Sequence, residues 1–269
     1  MSDVRQMLDA DVLTLGMAAD EARRAVMATN VVTYLRVHVV TAGELLRGLI
    51  PEQASELRVY GTPKSLDDAL AQIRALTELA GPRRVAAFSM ADLESRGWAS
   101  SESLRALADA GMRDVAELPV DQLPDLSRAI AALRQAGMDP RRITTTHSMG
   151  VRKIEIIDRV KAASTDHPSV RRFAPLPRVI PIDKPTTGYD DVRMVALARL
   201  ALGSTSIEVD WSLYGPKLAQ VALTFGADHF DGVSAENDSS KGPRRGTIED
   251  VERNIRAAGF EPREERVLA

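Results

Sequence analysis

Short β-branched runs alternate along the chain with longer Ala/Leu/Arg-rich stretches whose apolar residues recur at helical spacing. The runs predict eight strands, over 32–40, 56–61, 84–89, 114–118, 143–147, 170–176, 206–211 and 228–233. Between and after them, helical patterns cover about 42–49, 65–80, 100–110, 122–136, 151–163, 188–202, 215–225 and 247–258, several opened by cap residues such as Ser65 and Ser100/Ser101. Two short amphipathic helices precede the series, near 3–10 and 17–28. Each predicted strand is followed by a helix. Eight such units with right-handed crossovers close most naturally into an α/β fold of the (β/α)8 TIM-barrel type, with a doubly wound open sheet as the alternative. On this reading 1–269 is one domain, the N-terminal helices in 1–30 and the barrel in 31–269. Loops after the strand C-termini would then hold any site, among them the polar, Gly/Pro-punctuated segment 234–246.

Composition narrows the chemistry. Of 269 residues, 44% are hydrophobic and 27% charged, as in an ordinary globular protein, and the net charge of −3 provides no field for gathering nucleic acid or an anionic membrane surface. No apolar run approaches the roughly 20 residues that span a bilayer, and the N-terminus lacks the apolar core of a signal peptide, so a cytoplasmic location is expected. The chain contains no cysteine, which removes disulfides, thiolate nucleophiles, Cys-bearing zinc sites and thiolate-held clusters. The four histidines, His38, His147, His167 and His229, show no HxH or HExxH spacing, and no metal site is expected.

Three stretches in the C-terminal half, DKPTTGYDDVRMVALARLAL (183–202), WSLYGPKLAQVALTFGADHFDG (211–232) and TIEDVERNIRAAGFEPREER (247–266), occur in a distinctive order and spacing. They resemble the radical S-adenosylmethionine (SAM) enzymes of futalosine-type menaquinone biosynthesis, of the aminofutalosine synthase and dehypoxanthine futalosine cyclase type. The resemblance weakens toward the N-terminus but persists through LGMAADEARRAV, VVTYLRVHVV and VAAFSMADLESRGWASSESLRALADAGM (85–112), and it implies the same (β/α)8 barrel.

Such enzymes carry CxxxCxxC after the first strand, where three thiolates hold a [4Fe–4S] cluster whose fourth iron binds SAM. Here that loop reads TAGELLRGLIPEQ (41–53), without cysteine. The Gly-rich turn after the second strand is reduced to YGTPK (60–64), leaving Gly61, and the Gly-rich acidic segment after the fourth becomes AELPVDQL (116–123), with Asp121 the candidate for the family's glutamate. Three cofactor elements are degenerate together, so no cofactor is expected: no [4Fe–4S] cluster, and SAM binding is in doubt. The resemblance therefore implies a pseudoenzyme.

His147, Asp210, Lys184, Glu117 and Glu236 are the acid–base candidates, His147 because it ends the fifth predicted strand at the barrel mouth. Thr186 and Thr187 open the helix over 188–202 and can present hydroxyls and N–H groups to an anion, with Arg178 and Lys184 in the preceding loop. In WSLYGPK, Trp211 and Tyr214 are candidates for stacking on a purine or naphthoate-like ring, and Lys217 for holding an anion. Glu236 falls where the family has an acidic pair, and Asn237 replaces the second acid. Ordinary structural roles explain each of these residues equally simply: a hydrogen-bonded rim histidine, a helix start, a core aromatic. Two functions remain open. One is a substrate-binding, partner or regulatory protein of futalosine-type menaquinone biosynthesis, taking a nucleoside or aromatic acid and associating with itself or with an intact radical SAM paralogue. The other is a non-radical barrel enzyme using acid–base residues at the mouth.

Overall fold

The computed structural model describes residues 4–27, 30–43, 50–148, 150–180, 185–236, 240 and 242–266. Its strands are β1 (Val31–Thr41), β2 (Glu56–Tyr60), β3 (Arg84–Ala87), β4 (Arg142–Thr145), β5 (Arg172–Pro177), β6 (Ser206–Asp210), β7 (His229–Ser234) and β8 (Glu261–Glu264). All pairings are parallel, in the order β3-β2-β1-β7-β6-β5-β4, with β8 on β1. The ring is completed by 114–119, which bridges to both β3 and β4 through Ala86↔Asp114, Ser89↔Glu117 and Pro119↔Thr144. The chain is thus an α/β barrel of the TIM type, with eight staves around the ring.

Helices α1 (Val12–Val26), α2 (Leu66–Ala80), α3 (Met90–Ser95), α4 (Ser101–Asp109), α5 (Leu126–Gln135), α6 (Lys153–Asp166), α7 (Gly188–Leu202), α8 (Trp211–Leu223) and α9 (Ile248–Ala257) accompany the strands. Asp11, Ser65, Ser100, Asp125, Thr187 and Asp210 start six of them by accepting hydrogen bonds from free backbone N–H groups of the first turn. Thr187 does so within a full capping box with Asp190.

Several sequence expectations shift. The predicted fourth strand, 114–118, pairs only through isolated bridges, because the Asp114 carboxylate accepts from its own neighbour Val115 N and Pro119 has no N–H to give a ladder. β8 was not expected, since EPRE carries no β-branched residue, three of its four residues are charged and one is a proline. The first predicted N-terminal helix is one 3₁₀ turn, Val4–Met7, and the second begins at Val12 rather than Met17 because Asp11 caps it there. Most of the helix predicted over 42–49 lies outside the described residues, as do 237–239 and 241 of the loop over 234–246.

The main apolar core lies between strands and helices, not inside the ring. Leu57 and Val59 of β2, Ile207 and Val209 of β6 and Phe230 of β7 all join it. Their alternating neighbours face inward. There Leu35 and Val37 form a separate apolar pair, and the remaining interior is dominated by arginines and carboxylates rather than the branched aliphatics that usually fill such barrels.

Candidate functional site

Period-two alternation carries Glu56, Arg58 and Tyr60 of β2 into the ring. Arg58 reaches across to β7, donating from both terminal nitrogens to Asp231 at 2.5 and 3.0 Å and from Nε to Glu56 at 2.7 Å. Arg142 of β4 joins from the other side, donating to Asp231 and, at 3.3 Å, to Glu208 Oε1. Burial would raise the Asp231 carboxyl, but the Arg142 and Arg58 guanidiniums reverse that and hold it well below the usual carboxylate range. Glu208, with only one such contact, is pushed up to about 7 by burial and by the Asp231 charge. His229 is completely buried, and burial together with Arg172 drives its pKa well below 6.5, so its imidazole is neutral. Its Nδ1 lies 2.7 Å from Thr33 Oγ1, and its Nε2 faces Glu208 Oε2 at 4.0 Å.

Above this ionic floor lies the mouth. Arg178, just past β5, donates from Nε to Glu117, from one terminal nitrogen to Asp210 at 3.0 Å and from the other to the Tyr60 hydroxyl at 2.8 Å, with its guanidinium 5.2 Å from the Tyr60 ring centre. The Tyr60 hydroxyl also accepts from Arg58 at 3.3 Å, so it links floor and mouth. A hydroxyl that already accepts twice has its own proton left to donate. Gly232 makes room here: at φ 64° its backbone passes so close to Asp210 that a Cβ would lie 2.7 Å from Oδ1. The result is a cavity of about 540 Å³, lined by Tyr60, Glu117, Arg178, Ser212, Ser234, Glu236 and Arg245, with Val37, Val39 and Leu213 supplying apolar surface. Two acids and two arginines line it, with His38 beside them, so it suits a neutral or zwitterionic polar molecule better than a polyanion.

The sequence candidates distribute unevenly around this cavity. Glu236 and Glu117 line it. Asp210 lies beneath as the α8 N-cap, accepting from Leu213 N and the Ser212 hydroxyl as well as Arg178, so its oxygens are already engaged. His147 sits on the exposed rim, where Asp121 accepts from its backbone N–H and lies 3.3 Å from Nδ1. Trp211 is a core residue, 1% exposed and tilted against Phe230 at 5.5 Å, so its ring does not reach the mouth. Tyr214 donates to the Pro177 carbonyl at 2.6 Å beneath the rim. Lys217 is exposed on α8, beyond the kink at Gly215. Thr187 spends its hydroxyl on the α7 cap, while Thr186 lines a separate 230 Å³ pocket with Asp190, Asp191 and Lys153. Lys184 lies outside the described residues.

Sequence reading overlooked Tyr60, Arg58, Arg142, Glu208 and Asp231. Their signal was present as charged or polar residues two apart in otherwise apolar strands: ELRVY, RITT, IEVD and HFDG. The fold also gathers Glu208, His229 and Asp231 so that one ligand-type atom from each lies within 4.8 Å of the others, a grouping that no sequence spacing shows. A cation there would face Arg58 and Arg142 on Asp231, and the set does not suit one. The thiolate-held cluster implied by the resemblance does not fit this chain either, because the chain has no cysteine to bind it.

Comparison with known proteins agrees with this architecture. Residues 171–267 match the family model described as the CofH/MqnC C-terminal region, which bears out the radical SAM resemblance read from the motifs there. A curated 5-amino-6-(D-ribitylamino)uracil–L-tyrosine 4-hydroxyphenyl transferase from Methanococcoides burtonii is 27% identical over 63% of this chain and 57% of its own length. The Methanococcus aeolicus enzyme of the same name is 37% identical over 29% of this chain and 24% of its own length. The chain therefore matches little more than half of one relative and a quarter of the other. Among solved structures, methylornithine synthase (PylB) superposes with a TM-score of 0.67 at 11% identity, covering 97% of this chain and 93% of its own. The hydrogenase maturase HydG follows at 0.65 and 13%, covering 96% and 71%. Both show the barrel fold.

Proposed function

We propose that this chain is a cluster-free relative of the radical SAM barrels that binds a small polar ligand in the mouth cavity, serving as a binding, partner or regulatory protein. The observation that carries the reading is the cavity itself: about 540 Å³, with balanced charge, a polar floor and an apolar flank, on a chain without cysteine. Its hydroxyl-rich lining supports a nucleoside-like ligand, a heterocycle bearing a sugar or polyol, with an aromatic acid as the second class. The motif resemblance supports a ligand from futalosine-type menaquinone biosynthesis, whereas the names of the curated relatives favour a ribitylaminouracil. The same floor, with Tyr60 and Glu117 both on Arg178, has the donor and acceptor that a non-radical acid–base reaction needs, and a turnover screen on any ligand found would detect it.

Calorimetric titration with nucleosides, ribityl heterocycles and aromatic acids tests the proposal. Saturable binding is expected, weakened about 5-fold by Tyr60→Phe, since one hydrogen bond in a sheltered site is worth on the order of 1 kcal/mol. No binding from any class, or binding indifferent to both Tyr60→Phe and Glu236→Gln, sinks it.

Anaerobic reconstitution with iron and sulfide is expected to leave the protein colourless, because histidine and carboxylate groups do not replace cluster thiolates. Stoichiometric iron and sulfide with an absorbance near about 400 nm would show the cluster-free reading to be wrong.

A further inference from the structure

The end of the barrel opposite the mouth usually serves stability alone. In this protein it opens into a second cavity, of about 520 Å³, lined by Arg171, Arg172, Arg263, Ser164, Ser204, Thr205, Ser206, Thr33 and Asp228 among others. The arginines come from different strands: Arg172 opens β5 with Arg171 just before it, and Arg263 belongs to β8, the strand that pairs with the beginning of β1.

Their charges are not balanced locally. Asp228, the acid in the lining, is consumed: its carboxylate takes the Arg199 guanidinium, the Ser206 hydroxyl and the Ile207 N–H. Arg172 is paired with Glu265. Arg171 and Arg263 make no side-chain hydrogen bond or ion pair among the described residues, and Arg171 feels Asp139 only at a distance, while that acid is held by Arg141. Ser164 Oγ is buried and has no hydrogen-bond partner among the described residues. Gathering guanidiniums of one sign around one concavity costs stability through mutual repulsion, and it does so in a chain whose net charge is −3. Nothing in the barrel's packing requires it.

We infer that this N-terminal opening is an anion site for a phosphate group, separate from the mouth. Guanidiniums match the oxygens of a phosphate through paired N–H donors, and hydroxyls such as Ser164 and Thr205 complete a shell that a dianion would fill. The volume exceeds that of inorganic phosphate, so a phosphomonoester of a small molecule fits the space better than the free ion. Arg172 also lines the small interior space with Arg142, Glu208 and Asp231, so an anion at this end lies one side chain from the ionic floor under the mouth.

Titration at constant ionic strength with inorganic phosphate and, in a separate arm, ribose 5-phosphate tests the site, read by 31P NMR line broadening and calorimetry against chloride as the control anion. The expected result is saturable binding in at least one arm, tighter for the ester, falling at least about 10-fold in the double variant Arg171→Gln/Arg263→Gln while its circular dichroism stays unchanged and its unfolding midpoint does not fall. Preference for the ester assigns the site to phosphorylated small molecules, and preference for the free ion assigns it to inorganic phosphate. No saturable binding in either arm overturns the inference, and so does binding that survives the double variant. Neither result touches the mouth, because its ligands are titrated separately.

Discussion

Replacing Asp231 with alanine is expected to lower the unfolding free energy by about 3–5 kcal/mol, a large share of the roughly 5–15 kcal/mol that holds a typical domain folded. Asp231 is completely buried and accepts from Arg58 through both oxygens and from Arg142 through one. Without it, two guanidiniums face each other in the ring with no anion between them, Arg58 buried and Arg142 nearly so. Glu56 still holds Arg58, and Glu208 still holds Arg142, but each through one oxygen, and Glu208 is itself difficult to ionise there. Asp231→Asn keeps the shape and loses the charge, so it is expected to fall between wild type and Asp231→Ala. Denaturant unfolding followed by circular dichroism measures both. A loss below about 1 kcal/mol for Asp231→Ala would mean that water or rearranged carboxylates replace the aspartate, and that the network is not the ordered floor described above.

Much of this barrel is legible along the chain, and the misses have physical causes. β1 and β6 are rich in β-branched residues, β2 and β7 alternate large apolar with charged or polar positions, and the staves they form lie where the pattern puts them. The fourth stave and β8 are held by context instead: the first by bridges to two neighbours that both need a partner, the second by a free segment of the β1 edge beside 31–34. The site was harder to see. Trp211 and Tyr214 read as ligand-facing aromatics because they follow β6, yet α8 begins at Trp211 itself, and its first turn rotates the indole toward Phe230 and the core. Conversely, Arg58 or Glu208 within a short strand reads as a solvated position until the ring closes and makes its inner face a shared interior. Inward charge at period two is visible in each strand, but its meaning is a property of several strands at once. Tyr60 is an instance: its role follows from Arg58 beside it and Arg178 more than a hundred residues later.

Stability is expected to fall with rising pH relative to a Glu208→Gln variant, because Glu208 is held in the protein with a pKa raised to about 7 from its ordinary 4.5. The sign follows from proton binding. A carboxyl that holds its proton more tightly when folded contributes stability below about 4.5, and that contribution is lost as pH rises through about 7. Geometry gives the same direction: Glu208 Oε2 has no hydrogen-bond partner, so an ionised oxygen is left bare in the interior, whereas a protonated one can turn its O–H toward the neutral His229 Nε2 4.0 Å away. Asp114, pushed up to about 6 mainly by burial, adds a loss of the same sign over about pH 4 to 6. His229 and Asp231 act oppositely, since both have lowered values and both cost stability as pH falls. The wild-type curve alone therefore mixes signs, and the comparison with Glu208→Gln isolates one group. Gln cannot ionise and keeps the shape, so the variant is expected to match wild type near pH 4.5 and to exceed it by roughly 3 kcal/mol by pH 8. Paired urea unfolding curves at half-unit intervals across that range measure the difference. A constant offset from pH 4.5 to 8 would show that Glu208 titrates as an ordinary carboxyl, with its charge stabilised by Arg142.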